Sequence, residues 1–190
     1  LTKLKNTSPL RITVSGDIGS GKSTFAKHLA KKLGIERIYA GNMFREEAAR
    51  RNLTLQDFNE LLESDDEVDR SVDALQQKKS EEIERGIFEG RVAWHFNIDP
   101  DVKLFLSVDP FVGAQRVYGD KDNTLRDKYS SVEEVVALNK KRKASEEKRY
   151  NSYYGISAYN PDNFDVITDT SSITIKEVFE QTVIAIAQAL

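Results

Sequence analysis

The chain has 190 residues, with 28 Lys and Arg against 31 Asp and Glu and a net charge of −3. That length suits one domain with a sizeable core, and the charge balance offers no basic surface of the kind that wraps nucleic acid. The absence of cysteine excludes a disulfide framework, thiol catalysis and a cysteine metal site, and two histidines, His28 and His95, are too few for an imidazole metal cage. No apolar run is long enough to cross a bilayer, and residues 1–9 lack an apolar signal core. The expectation is a cytoplasmic monomer without membrane or nucleic-acid partners.

In chain order, residues 1–9 read as a loose polar arm. Leu10 to Ser15 is nearly all apolar and reads as a central strand of a parallel sheet. Gly16 to Thr24 is a glycine-rich loop, and Phe25 to Leu33 carries Phe25, Leu29 and Leu33 at helical spacing before a stop at Gly34. Ile38 to Ala40 reads as a second strand, Gly41-Asn42 as a turn, and Met43 to Arg51 as a helix. Thr54 and Ser64 can cap two further helices. The first holds Leu55, Phe58, Leu61 and Leu62; the second has a predicted buried stripe of Val68, Val72, Leu75 and Ile83 and a stop at Gly86.

Ile87-Phe88 is a third predicted strand and Val102 to Val108 a fourth. Asp109-Pro110 pairs a good cap with a good first residue and opens a helix through Phe111, Ala114 and Val117. A polar loop over 119–127 precedes a charged helix from Ser130-Ser131 towards Tyr150. Phe164 to Ile167 is a fifth strand and Thr174 to Leu190 a last amphipathic helix. Alternating strands and helices indicate a doubly wound α/β fold. Ligands in such folds sit at the carboxyl ends of the strands. Gly16–Thr24, Gly41–Arg45 and Glu89–Arg91 each follow a strand and so converge on one edge.

The loop Gly16-Asp17-Ile18-Gly19-Ser20-Gly21-Lys22-Ser23-Thr24 has the spacing G-x-x-x-x-G-K-[ST] between a strand and a helix. Its glycines let successive amides point at one anion, and the positive end of the helix dipole faces the same point. Lys22 adds a charge for the β- and γ-phosphates, and the Ser23 hydroxyl suits Mg²⁺. The alternative reading is a chance glycine-rich turn. The P-loop reading implies a nucleoside triphosphate, ATP being the co-substrate expected, together with Mg²⁺.

A P-loop alone does not distinguish a kinase from a switch or a motor. A guanine switch needs N-K-x-D, whereas Asn139-Lys140-Lys141-Arg142 has Arg in place of Asp, and no D-x-x-G occurs. Arg45 and Arg91 follow strands at the active edge, where each could grip a phosphate bidentately. Arg116, Arg126, Arg142 and Arg149 surround the polar loop and the helix after it; Arg142 and Arg149, seven apart, share a helix face. Arginines closing over a transferred phosphoryl group stabilise its charge. The plain alternative for each is a solvated surface charge. Asp109 could be a metal carboxylate, but Pro110 beside it favours a helix cap. His95 is open to a general-base reading that phosphoryl transfer does not require. His28 reads as a surface or packing residue, and the aromatics Trp94 and Phe96 as packing in preference to base stacking.

These residues resemble the short, archaeal-like cytidylate kinases among the P-loop nucleoside monophosphate kinases. The resemblance rests on Ile12–Leu33, Tyr39–Arg45, Phe88–Arg91, Val102–Pro110 and the run from Arg142 through Glu146 to Arg149–Ile156. It implies a three-layer P-loop fold with a five-stranded parallel sheet. It also implies a single kinase domain over 1–190, with a core over 10–40, 86–118 and 160–190, a helical acceptor-binding insertion over about 41–85 and a lid over about 119–155. The implied activity is transfer of the ATP γ-phosphoryl group to CMP or dCMP. Carried over by position, Gly16 to Thr24 bind ATP, while Gly41, Asn42, Arg45, Glu89, Gly90 and Arg91 bind the acceptor. Lys22, Arg142 and Arg149 act on the transferred group, and Ser23 and Glu89 serve the metal. Asn42 stands where the family usually has Asp, and Val92-Ala93-Trp94-His95-Phe96 is bulkier than the family pattern. A kinase of shikimate- or gluconate-like acceptors and a non-catalytic nucleotide-binding module are the competing readings.

Overall fold

The computed structural model describes residues 1–53, 57–58, 61, 66–97, 99–120 and 129–190; the side chains of 45, 66–69 and 72 also fall outside that description. Five parallel strands form the sheet: β1 (Leu10–Gly16), β2 (Glu36–Tyr39), β3 (Arg85–Glu89), β4 (Val102–Ser107) and β5 (Val166–Asp169), in the order β2-β3-β1-β4-β5. The register pairs Ile12 with Ile87 and with Val102, so β1 lies at the centre. Alternate residues face opposite sides. Ile12, Val14, Ile87, Leu104 and Leu106 pack against α2 (Lys22–Leu33) and α8 (Ile175–Ala189), where Phe25, Leu29 and Ile186 close the main core. Phe88 faces the other way, packing with Ile38 and Ala93.

Among the described residues the remaining α-helices are α1 (Thr2–Asn6), α3 (Ala40–Arg50), α4 (Asp66–Glu82), α5 (Ala93–Phe96), α6 (Pro110–Gly119) and α7 (Val132–Tyr154). Caps read from sequence are present. The Asp109 carboxylate accepts from the amides of Phe111 and Val112, Ser131 accepts from Glu134, and Thr174 with Glu177 forms a reciprocal capping box.

Several elements differ from expectation. Residues 1–9 are not loose. Leu4 is fully buried in the main core, Lys3 Nζ donates to the Ala187 carbonyl at 2.8 Å, and the Arg85 guanidinium donates to the Thr7, Leu4 and Lys5 carbonyls. Gly41-Asn42 is not a turn but the first turn of α3; a Cβ on Gly41 would come within 2.5 Å of the Tyr39 ring. Gly86 lies inside β3 rather than ending a helix; a Cβ there would come within 3.0–3.2 Å of the Ile83, Ile38 and Phe88 side chains. Strand β5 begins two residues later than read, and 93–96 forms a helical turn where none was assigned.

The largest departure is in α4. Leu75, assigned to a buried stripe, is 46% exposed, while Asp73, Gln76 and Ser80 are buried. The caps assigned to Thr54 and Ser64, Leu55 and Leu62, Arg126 and most of the 119–127 loop lie outside the described residues, as do the side chains of Val68 and Val72. Phe58 is fully buried with Ala48, against Met43, Phe44 and Leu61. Among the described residues no helix is long and apolar enough to cross a membrane.

Candidate active site

The strand order sets β2, β3 and β1 side by side, so α3, the Glu89-Gly90-Arg91 turn and the Gly16–Thr24 loop leave the same edge of the sheet. The loop is built on close backbone approach. A Cβ on Gly19 would fall 2.2 Å from the Gly113 carbonyl oxygen, and one on Gly113 would fall 2.6 Å from that of Ile18. The loop therefore nests against α6 through two facing glycines. Gly21 caps α2 in the left-handed region, at φ 83°, with no side-chain cap bond. The first amides of α2 thus face the loop without a competing side-chain acceptor, which suits an anion.

Two buried glutamates organise the charges. Glu89, at the end of β3, has a fully buried side chain. Its Oε1 accepts from the Ser23 hydroxyl, and its Oε2 accepts from Arg37 Nε at 2.8 Å and from Arg37 Nη2. The Arg37 guanidinium also lies 4.6 Å above the Tyr39 ring. Because the Ser23 proton is donated to Glu89, the lone pairs of its oxygen are left for a cation.

Glu146, on α7, gathers two arginines. Arg91 Nε lies 2.9 Å from its Oε2, and Arg142 Nε lies 2.9 Å from its Oε1. The Tyr159 hydroxyl donates to Oε2 at 2.5 Å. Burial alone would raise the Glu146 carboxyl, but Arg91 and Arg142 outweigh it and hold it down to about 2. Burial would likewise lower Arg91, yet Glu146 keeps its guanidinium above the ordinary range. Arg91 Nη1 donates to the Gly16 carbonyl at 2.7 Å, which ties the end of β3 to the P-loop. Lys22 is half-buried in this charge field. Burial, followed by repulsion from Arg91, pushes its ammonium down to about 7 against the pull of Glu89 and Glu146.

The residues named from sequence are placed as follows. Gly16 to Thr24, Glu89, Gly90, Arg91 and Arg142 gather at one edge. Gly41 and the exposed Asn42 occupy the first turn of α3; Arg45 lies further along that helix, its side chain outside the described residues. The Arg149 guanidinium lies 5.2 Å above the Tyr150 ring. Asp109 caps α6. His95 is exposed as a residue, and the partial burial of its imidazole beside the rings of Trp94, Phe96 and Tyr154 lowers its pKa. Trp94 and Phe96 pack on Phe164 and Tyr154, and His28 stacks on Phe179 at 4.2 Å.

Sequence reasoning missed Arg37, Gly113, Lys143 and the role of Glu146. Lys143 Nζ lies 2.8 Å from Asp17 Oδ1 and 4.2 Å from the Tyr159 ring centre, linking α7 to the P-loop. The Arg142-Glu146-Arg149 spacing at i, i+4 and i+7 was a usable signal for Glu146; nothing local marks Arg37. A cavity of about 430 Å³ adjoins the loop, lined by Thr24, His28, Arg116, Thr170, Thr174 and Phe179 among others. Arg116 is held there by the Thr170 carbonyl at 2.6 Å.

The family model described as the cytidylate kinase-like family matches residues 11–172. The chain belongs to that family. A cytidylate kinase from Archaeoglobus fulgidus is 32% identical over 171 residues, covering 90% of this chain and 91% of that protein. One from Methanothrix thermoacetophila is 36% identical, covering 84% and 87%. In fold, the chain is similar to a crystal structure of shikimate kinase from Bacteroides thetaiotaomicron, with a TM-score of 0.60 at 19% identity, covering 94% of this chain and 97% of that one. In this cytidylate kinase-like protein a P-loop, two arginines on one glutamate and a hydroxyl–carboxylate pair thus share the edge of a parallel sheet.

Proposed function

We propose that the protein transfers the γ-phosphoryl group of ATP to a nucleoside monophosphate, converting CMP or dCMP to the diphosphate. The observation that carries this reading is the meeting of Arg91, Arg142 and Lys22 at the P-loop in a chain of the cytidylate kinase-like family. An acceptor phosphate oxygen attacks the γ-phosphorus; the bond from that phosphorus to the bridging β–γ oxygen breaks, and ADP leaves with the electron pair. The protein contributes positioning and charge, since such transfer needs little else.

The residues divide the work. The loop amides from Gly16 to Thr24 and Lys22 hold the triphosphate. The cavity beside Thr24, His28, Arg116 and Thr170 takes the adenosine. Gly41, Asn42, Arg45, Gly90 and Arg91 receive the acceptor. Arg142 and Arg149 face the transferred group from the lid, taken as about 119–155, with the acceptor-binding insertion at about 41–85. Among the described residues no cluster of three His, Cys, Asp or Glu could hold an ion alone. The donor pair here, the Ser23 hydroxyl with the Glu89 carboxylate, suits a hard cation that takes its other ligands from phosphates and water. Mg²⁺ bound there supplies charge neutralisation at the phosphates. Nucleotides are the expected partners of a cytoplasmic monomer working in pyrimidine nucleotide metabolism.

A panel of acceptors with ATP in a coupled ADP assay tests this. Turnover of CMP or dCMP is expected. Turnover of a hydroxylated acid such as shikimate or gluconate, with none of any nucleoside monophosphate, would overturn it. ATP binding without turnover on any acceptor would favour a nucleotide-responsive module instead.

A further inference from the structure

Arg37 and Glu89 meet across neighbouring strands. The register sets Arg37 opposite Ile87 and Tyr39 opposite Glu89, so Arg37, Tyr39 and Glu89 share one face of the β2–β3 pair. The Glu89 side chain is fully buried, and Arg37 reaches it from the end strand of the sheet with 22% of its own side chain exposed. A buried carboxylate needs a paired cation, and several geometries would meet that need. A guanidinium often pairs with a carboxylate through two parallel bonds, one to each oxygen. Here the pairing is one-sided. Arg37 Nε and Nη2 both donate to Oε2, at 2.8 and 2.5 Å. Oε1 accepts from the Ser23 hydroxyl, on the P-loop side. The Tyr39 ring, 4.6 Å from the guanidinium carbon, backs Arg37 in this pose.

The two oxygens of Glu89 are therefore not equivalent. Oε2 cannot turn towards the P-loop without breaking both bonds to Arg37. Only Oε1 can meet a cation beside Ser23, directly or through a water. Hard cations differ in what they ask of such a group. Ca²⁺ gathers about six to eight oxygens and accepts both oxygens of one carboxylate. Mg²⁺ demands a near-octahedral shell, keeps several waters and needs a single carboxylate oxygen.

We propose that Arg37 is a positioning residue that restricts Glu89 to one oxygen and so makes the P-loop site select Mg²⁺ over Ca²⁺. This rests on the kinase reading above, in which Ser23 and Glu89 serve the metal. Neutralising the buried carboxylate is a separate task. A lysine at position 37 would perform it too, but its ammonium is a point charge without the planar fork, and it does not fix which oxygen it takes.

The test reads binding instead of turnover. Calorimetry measures the affinity of wild type and Arg37→Lys for a non-hydrolysable ATP analogue, first in excess Mg²⁺ and then in excess Ca²⁺, so that the nucleotide is fully complexed in both. Wild type should bind the Mg²⁺ complex about tenfold more tightly than the Ca²⁺ complex, and Arg37→Lys should bring the two within about twofold. A folded Arg37→Lys protein that keeps the wild-type ratio, even with both affinities lowered, would overturn the inference, since Arg37 would then only neutralise Glu89. If the lysine protein does not fold, Arg37→Gln, which offers a single amide group in place of the fork, gives the same comparison. Equal affinity of the wild type for the two complexes overturns the inference without any variant. Wild-type protein that binds the analogue with neither metal overturns the nucleotide reading itself.

Discussion

Glu89 and Glu146 are both buried carboxylates within the same charge field, yet they are used in opposite ways. Glu89 is fixed from behind. Arg37 on β2 occupies its Oε2, and the carboxylate shows its other oxygen to Ser23 at the P-loop. Glu146 faces two arginines: Arg91, which donates to the Gly16 carbonyl of the loop, and Arg142, which reaches it from the solvent side with 61% of its side chain exposed. In the proposed function one glutamate is held by an arginine so that it can serve a ligand; the other holds arginines so that they can. The first sits on a rigid strand end, the second on the long helix α7. A buried charge is therefore not one kind of object; its role follows from which partner points outward.

Lys22 lies between the two groups, and its loss should have the largest effect. Lys22→Ala is expected to lower kcat by about 1,000-fold with the fold intact, measured by the coupled assay alongside thermal unfolding. Near-normal turnover would remove the loop from the chemistry. The next effect separates the glutamates. Glu89→Gln should lower kcat by about 100-fold and raise the Mg²⁺ concentration needed for half-maximal rate, whereas Glu146→Gln should lower the rate without changing the metal requirement. Equal metal dependence in the two variants would erase the distinction. Arg37→Met leaves Glu89 buried without its cation and should destabilise the fold by about 3–5 kcal/mol, while Arg37→Met combined with Glu89→Gln should recover most of that loss.

The two carboxylates also differ in how they could be read beforehand. Glu89 was accessible because it follows a short apolar strand and precedes Gly90-Arg91, a local arrangement. The P-loop was legible for the same reason: its chemistry lies in consecutive backbone amides. The alternation of apolar strands with amphipathic helices likewise carried the five-stranded sheet. Arg37 was hidden because its partner is 52 residues away and nothing in Glu36–Tyr39 marks it. The α4 face was misread for an instructive reason. Hydrophobic periodicity assigns Leu75 to the interior, whereas the helix buries Asp73 and Gln76, a rotation that periodicity cannot anticipate when the inner face is polar. The arm at 1–9 was misread because Leu4 is a lone apolar residue, too little to register as a pattern yet enough to be buried in the main core.

Acid should test the ion pairs of Glu146 through stability. Glu146 is held at about 2 against an ordinary 4.5. A carboxyl depressed in the folded state contributes stability that is fully present above its unfolded value and is lost as pH falls through the folded one. The window runs from about pH 4.5 down to about 2, with a contribution of about 3 kcal/mol. Urea unfolding of wild type and Glu146→Gln should therefore differ above pH 5 and converge towards pH 2. Parallel curves across that range would mean that Arg91 and Arg142 do not stabilise the ionised form.

The smallest effect concerns one proton. In the absence of nucleotide the Lys22 ammonium is pushed down to about 7 by burial and by Arg91. A triphosphate places several negative charges beside it and should raise it again, towards its ordinary 10.5. Between those two values the free enzyme has lost the proton that the complex keeps, so binding takes up to one proton from solution. ATP affinity must then fall as pH rises from 7 towards 10, by up to about tenfold per pH unit. Calorimetry at pH 8 in two buffers of different ionisation enthalpy measures the uptake directly. It should be present in the wild type and lost in Lys22→Ala, while Glu146→Gln, which removes an anion that favours the charged ammonium, should enlarge it. A wild-type enzyme that binds ATP without proton exchange would mean that Lys22 is already charged, and that the two glutamates rather than Arg91 dominate its surroundings.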